Sequence, residues 1–143
     1  MATRYFDINS AEEMEKLGMD ISASLNGGAV LLLTGELGAG KTVFCKGLAA
    51  GLGITVPVVS PTFTIMNEYY GGKIAFCHFD AYRLSDEEEA YGAGLTDFIG
   101  NPDCVCAVEW WENVPGLFDG LINVIKITVE KTGETKRRVS IEQ

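Results

Sequence analysis

Met14, Leu17, Ile21 and Leu25 recur at the spacing of one helical face, behind a polar opening, Ser10-Ala-Glu-Glu13. In that opening the serine hydroxyl can accept from the third amide of the helix while Glu13 reaches back. The pattern predicts a helix beginning there and ended by Asn26-Gly27-Gly28. Residues 29–34 form a continuous apolar run of strand length, as expected for a strand covered on both faces. A glycine-rich turn follows, then a helix from about Lys41 to Leu52, closed by Gly53. Strand, glycine loop and helix in that order begin an α/β unit.

Residues 54–62 read as loop, with Pro57 and Pro61. Two runs of strand character, 63–70 and 73–80, flank Gly71-Gly72, a two-residue hairpin signal. Part of the sheet is therefore expected to be antiparallel. Ser85-Asp-Glu-Glu88 is a second capping box and predicts a short acidic helix. Asn101-Pro102-Asp103 turns the chain into an apolar run over 104–110. A last hairpin is expected from 121–130 and 135–141, around Thr132-Gly133-Glu134. The order is α, β, α, then mostly β, with no repeat or linker, so one mixed α/β domain over 1–143 is predicted.

Composition adds exclusions. The 143 residues hold 20 acids against 11 lysines and arginines, a net charge of −9. That balance argues against gripping nucleic acid unaided, because phosphate backbones are held by basic footprints. It leaves open an anionic ligand at a locally positive loop. No apolar run has the length of a membrane span and no signal-like segment opens the chain, so a cytoplasmic protein is expected. Cys45, Cys77, Cys104 and Cys106 contain no C-x-x-C pair and His78 is the sole histidine, so zinc spacing is missing. The cysteines read as buried, reduced thiols.

The chemistry concentrates in Gly35-Glu36-Leu37-Gly38-Ala39-Gly40-Lys41-Thr42, which matches G-x-x-x-x-G-K-[ST] throughout. Glycines let the backbone turn tightly with its amides inward, and the next helix presents its unsatisfied N-terminal donors at the same point. Lys41 can reach β- and γ-phosphate oxygens, and the Thr42 hydroxyl can ligate Mg²⁺. A chance glycine turn would lack the apolar strand before and the helix after. A Mg²⁺ nucleotide site also needs an acid at a strand end. Glu109, closing Val105-Cys-Ala-Val-Glu109, supplies one, since a buried carboxylate is costly unless paired or metal-bound. His78 and Asp80, two apart on a strand, share a face. Asp80 could orient the attacking water or hold a Mg²⁺-bound water, and His78 reads as a core or supporting histidine as readily as a catalytic one.

The loop GELGAGKT, the segment Val59-Ser-Pro-Thr-Phe63, the stretch His78-Phe-Asp-Ala-Tyr-Arg83 and the pair Glu109-Trp110 together resemble the bacterial TsaE family, formerly called YjeE. These are the small ATPases of tRNA threonylcarbamoyladenosine (t6A) biosynthesis. The resemblance runs from about Ser10 to Glu109. It implies a single P-loop NTPase domain whose mixed, partly antiparallel sheet is flanked by helices. It implies ATP on Gly35–Thr42 with Mg²⁺ held by Thr42 and Glu109, and Thr62 near the γ-phosphate on a switch-like loop. Asp80 would be a catalytic or metal-side acid, and Trp110 would lie close to the nucleotide. Ser10 and Arg138 would approach it from the first helix and the last hairpin. The implied partners are the threonylcarbamoyl transferase (TsaD) and its partner (TsaB), with tRNA engaged only indirectly.

Three positions depart from the family pattern. Glu36 replaces a common aspartate, Val43 a common second threonine, and Trp111 a proline or small residue. The last leaves open which tryptophan faces the nucleotide. Two other functions compete. A small-molecule P-loop kinase needs an arginine-bearing lid, yet Arg83 is the only arginine between Lys46 and Lys136. A GTP switch needs Asn-Lys-x-Asp, which Asn123-Val-Ile-Lys126 does not provide. Residues 86–89 read first as a solvated helix start. Lys136-Arg137-Arg138 reads first as a charged strand edge, with a nucleotide-side clamp as the alternative.

Overall fold

The computed structural model describes residues 2–36, 38–61, 65–72 and 74–143. Strand β1 (Thr3–Ile8) leads into α1 (Ala11–Ser22), β2 (Val30–Thr34) and α2 (Lys41–Gly51). Then come β3 (Met66–Tyr69), β4 (Ala75–Asp80), α3 (Glu87–Gly92) and β5 (Cys104–Glu109). The C-terminal hairpin is β6 (Val124–Lys131) and β7 (Arg137–Glu142). Among the described residues, seven strands form one sheet in the order β1-β7-β6-β2-β5-β4-β3. The four central strands, β6-β2-β5-β4, are parallel, and the pairs at both edges are antiparallel. The expected mixed α/β architecture is the one observed. No helix is long and apolar enough to cross a membrane among the described residues.

β2 is buried along its apolar length because both sheet faces are covered, as its unbroken apolar run requires. Leu31 and Leu33 face α1 and α2 with Met14, Leu17, Phe44 and Leu48, while Val30 and Leu32 face a second layer around Phe79, Val108 and Val114. Ser10 caps α1 by accepting from the Glu13 N–H at 3.1 Å. Glu13 returns to the Asn9 N–H, one residue earlier than the usual box. The helix stops at Ser22, short of the predicted glycines, although Leu25 stays buried beyond it. The two helices approach closely enough that a β-carbon on Gly47 would lie 1.9 Å from the Glu15 carbonyl oxygen.

Several expectations shift. β1 has no predicted counterpart, because this edge strand buries little beyond Ile8 and shows no apolar alternation. The α3 cap is Asp86, accepting from Glu89 N–H, with Glu89 answering Ser85 N–H, so the predicted box moves by one residue. β3 and β4 pair as a hairpin, but the ladder ends at Tyr69 opposite Phe76, leaving a wider connection than two glycines. All four cysteines are free and buried. The sulfurs of Cys77, Cys104 and Cys106 lie within 4.8 Å of one another, and the Cys104 and Cys106 thiols share the Phe98 carbonyl as acceptor.

Candidate active site

β2 delivers the glycine loop to the carboxyl end of the parallel strands, where β4 and β5 also end. Gly40 adopts φ +112° and stands as the N-terminal cap of α2, a conformation that an L side chain rarely tolerates. Its carbonyl accepts from Phe44 N–H, so α2 starts directly behind the loop with its first-turn amides unpaired within the helix. Leu37, predicted within this loop, lies outside the described residues, as does Thr62. Ala39 is fully buried, and Glu36 is exposed at the cleft rim.

The β4–β5 register sets Asp80 beside Glu109 and His78 beside Ala107. Alternation then turns His78, Asp80 and Glu109 toward α2, the arrangement anticipated for the first two. Glu109 is nearly buried and bridges two cations: one oxygen lies 3.5 Å from Lys41 Nζ, the other 2.6 Å from His78 Nε2. Burial alone would raise the Glu109 carboxyl. The His78 hydrogen bond and charge, together with Lys41, overcome this and hold it below the ordinary glutamate range. Burial likewise opposes charge on His78, but contact with Cys45 and Glu109 raises it to about 10. Cys45 Sγ, from α2, sits 3.7 Å from His78 Nε2, and His78 Nδ1 is buried without a hydrogen-bond partner among the described residues. His78 therefore backs Glu109 from beneath and does not line the cleft.

Asp80 is half-buried and accepts the Tyr82 N–H at 2.9 Å. Burial pushes its carboxyl up, the Tyr82 N–H opposes that, and the neighbouring Glu109 charge adds to the rise. Trp110 has a left-handed backbone, φ +57°, which aims its ring over Lys41 Nζ at 5.4 Å and edge-on to Tyr82 at 5.0 Å. Trp111 points elsewhere: its indole N–H donates to the Thr34 hydroxyl and its ring meets Lys126. Of the two tryptophans, Trp110 is the one beside the loop.

Among the described residues, Gly38 and Gly40 of the loop stand between two clefts. One, of 730 Å³, is lined by Lys41, Thr42, Ser60, Asp80, Glu109 and Trp110. The other, of 490 Å³, lies toward α1 and the last hairpin and includes Ser10, Met14, Val43, Thr135 and Arg137. An elongated anion laid across the loop would thus meet Asp80 and Glu109 at one end and Ser10 and Arg137 at the other. The oxygen donors of Thr42, Asp80 and Glu109 in one cleft suit a hard cation such as Mg²⁺, which binds through carboxylates and phosphates.

Arg138 is not brought to the loop. Alternation along β7 turns it away from the face on which Val139 and Ile141 are buried, and its Nε faces Asp7 at 3.4 Å. Its neighbour Arg137 takes the position instead, donating to the carbonyls of Ala39 and Gly38 at 2.8 and 3.4 Å. The signal was available, because Arg137 stands two residues before Val139 on the same strand face.

Known proteins resemble the chain along most of its length. The family model described as threonylcarbamoyl adenosine biosynthesis protein TsaE matches residues 8–139. The tRNA threonylcarbamoyladenosine biosynthesis protein TsaE of a Nostoc species is 42% identical over 120 residues, covering 80% of this chain and 72% of that one. Its Bacillus subtilis counterpart is 39% identical over 129 residues, covering 90% and 78%. The crystal structure of Bacillus subtilis YdiB superposes with a TM-score of 0.79 at 32% identity, covering 98% of this chain and 84% of that one.

Proposed function

The chain belongs to the TsaE family, and on that footing we propose that it is a Mg²⁺-dependent ATPase serving t6A formation on tRNA. The observation that carries this reading is the placement of Glu109 between Lys41 and His78, in the cleft that the glycine loop and Asp80 share.

Each residue has a role that its surroundings support. The loop amides and the N-terminus of α2 receive the phosphates, and Lys41 binds β- and γ-phosphate oxygens. Lys41 is already paired with Glu109, so a polyphosphate competes with that carboxylate for the ammonium. Thr42 and Glu109 would hold Mg²⁺, which when bound neutralises charge on the transferring phosphoryl group. Asp80 orients the attacking water, whose oxygen joins the γ-phosphorus as the bond to the β-phosphate oxygen breaks, leaving ADP and phosphate. Trp110 and Tyr82 wall the cleft and keep bulk water from Lys41. In this reading Thr62 serves the γ-phosphate side, as the family resemblance implies, and Ser10, which lines the second cleft, serves the nucleoside side.

The partners that fit this role are the threonylcarbamoyl transferase (TsaD) and its partner (TsaB). Hydrolysis would then support their repeated turnover, while the carbamoyl-transfer chemistry stays with them. A net charge of −9 suits a protein that leaves most tRNA contact to others. The direct test is Mg²⁺-ATP hydrolysis by wild type and Asp80→Ala. Wild-type turnover with a loss on the order of 100-fold in the variant is expected. Equal rates would remove Asp80 from the mechanism, and no hydrolysis by wild type, even with the TsaD–TsaB heterodimer present, would remove the ATPase reading.

A further inference from the structure

We propose that Arg137 is a positioning residue that locks one peptide plane of the glycine loop into its phosphate-binding orientation. The inference rests on the reading of the loop as a polyphosphate site. It concerns how a residue that touches only backbone prepares that site.

The Arg137 guanidinium is half-buried, and each of its three nitrogens donates to carbonyl oxygens. Its Nε donates to Ala39 at 2.8 Å and one terminal nitrogen to Gly38 at 3.4 Å. The other terminal nitrogen donates to Gly133, Glu134 and Lys136 at 3.1, 3.3 and 2.9 Å. One planar fork therefore ties the turn of the last hairpin to two consecutive carbonyls of the loop. Arginine suits this because its donors are fixed in a plane and its charge is permanent.

The consequence follows from peptide geometry. In a trans peptide the C=O and the next N–H point in opposite directions. Holding the Ala39 carbonyl against Arg137 turns the Gly40 N–H the other way, toward the side where α2 begins and Lys41 emerges. The preceding peptide is held at both ends, its Gly38 carbonyl by the longer Arg137 contact at 3.4 Å and its Ala39 N–H by the Glu36 carbonyl at 3.1 Å, so the Ala39–Gly40 plane is the one that depends on Arg137. Gly40, at φ +112°, has the backbone freedom to let the Ala39–Gly40 plane flip if nothing held it. Arg137 supplies the restraint. It also makes the hairpin turn and the loop move as one unit.

Arg137 also lines the cleft on the α1 side, so a direct contact with the nucleoside must be told apart from positioning. Binding of ATP, inorganic tripolyphosphate and adenosine to Arg137→Gln and Arg137→Lys separates the two, with far-UV circular dichroism and melting as folding controls. Positioning predicts that Arg137→Gln weakens ATP and tripolyphosphate alike, by roughly 10- to 100-fold, the range of a hydrogen bond to a charged group. Arg137→Lys, which can reach one carbonyl but not brace two, should bind tripolyphosphate more weakly than wild type, and it carries the test if the glutamine variant does not fold. Wild-type tripolyphosphate affinity in either variant would overturn the proposal, and loss of adenosine or ATP binding alone would mark Arg137 as a nucleoside contact instead. Failure of the wild-type protein to bind tripolyphosphate and ATP would be a different result, striking at the polyphosphate reading itself.

Discussion

Glu109 closes β5 with one oxygen on the lysine of the phosphate loop and the other on a buried histidine, and both contacts have measurable consequences. Glu109→Gln removes the charge but keeps the shape. Hydrolysis at saturating Mg²⁺-ATP should fall on the order of 100-fold, while ATP affinity measured in chelator should rise, because Lys41 no longer has a competing carboxylate. Weaker chelator-phase binding in the variant would contradict that competition. The same pair, with Cys45 against His78, sets a pH dependence. His78 is raised in the folded state from 6.5 to about 10, so its contribution to stability is complete below pH 6.5 and is lost as pH climbs through about 10. Glu109 is lowered, so its contribution is present above 4.5, its unfolded value, and is lost as pH falls. The pair is therefore most stabilising between about pH 4.5 and 6.5. Melting curves in chelator should show wild-type stability declining from pH 6.5 toward 10 more steeply than that of Glu109→Gln. Parallel curves would mean the two groups do not interact as described.

Among the elements, those with a strong local pattern were legible before any coordinates. β2 announced itself by an unbroken apolar run, and α2 by the loop that opens it. α1 was visible through Ser10 and the face of Met14, Leu17 and Ile21. His78 and Asp80 shared a face because alternation admits nothing else. What stayed hidden depends on partners distant in sequence. β1 exists because β7 offers it a ladder, which its own exposed residues do not reveal. Glu109 was expected at the loop, but its direct ion pair with Lys41, 68 positions away, rests on the parallel pairing of β2 with β5. Arg137 displaced Arg138 because the strand's facing is set by Val139 and Ile141, not by which arginine comes last. The closeness of α1 to α2 was also invisible, since Gly18 and Gly47 read as weak helix formers until their contacts are seen. A β-carbon at Gly18 would come within 2.3 Å of the Phe44 carbonyl oxygen, and one at Gly47 within 1.9 Å of that of Glu15. Gly47→Ala should therefore cost about 1–3 kcal/mol despite its better helix propensity. Thermal melting checks this, and an unchanged or higher midpoint would show that the helices can part without loss.

At the scale of the whole molecule, the carboxyl end of the parallel strands β2, β4 and β5 gathers the loop, Lys41, Asp80, Glu109 and Trp110 around one 730 Å³ cleft. The antiparallel hairpin beyond it, through Arg137, reaches the loop from the other side. An acidic protein can bind a polyphosphate in this way because the favourable field is local: a helix N-terminus, inward amides and one lysine. The chain as a whole, with its excess of 9 negative charges, is suited to protein partners better than to tRNA itself. Membership of the TsaE family gives that surface a context, and the cleft gives the family role its chemistry. Both are tested together by following t6A formation on tRNA by the TsaD–TsaB heterodimer with wild-type protein or Lys41→Ala, while recording ATP consumption in the same reactions. The account predicts repeated rounds of t6A formation with wild type, faster ATP hydrolysis when the heterodimer is present, and loss of both with Lys41→Ala. Undiminished t6A formation with Lys41→Ala, or ATP consumption indifferent to the heterodimer, would contradict it.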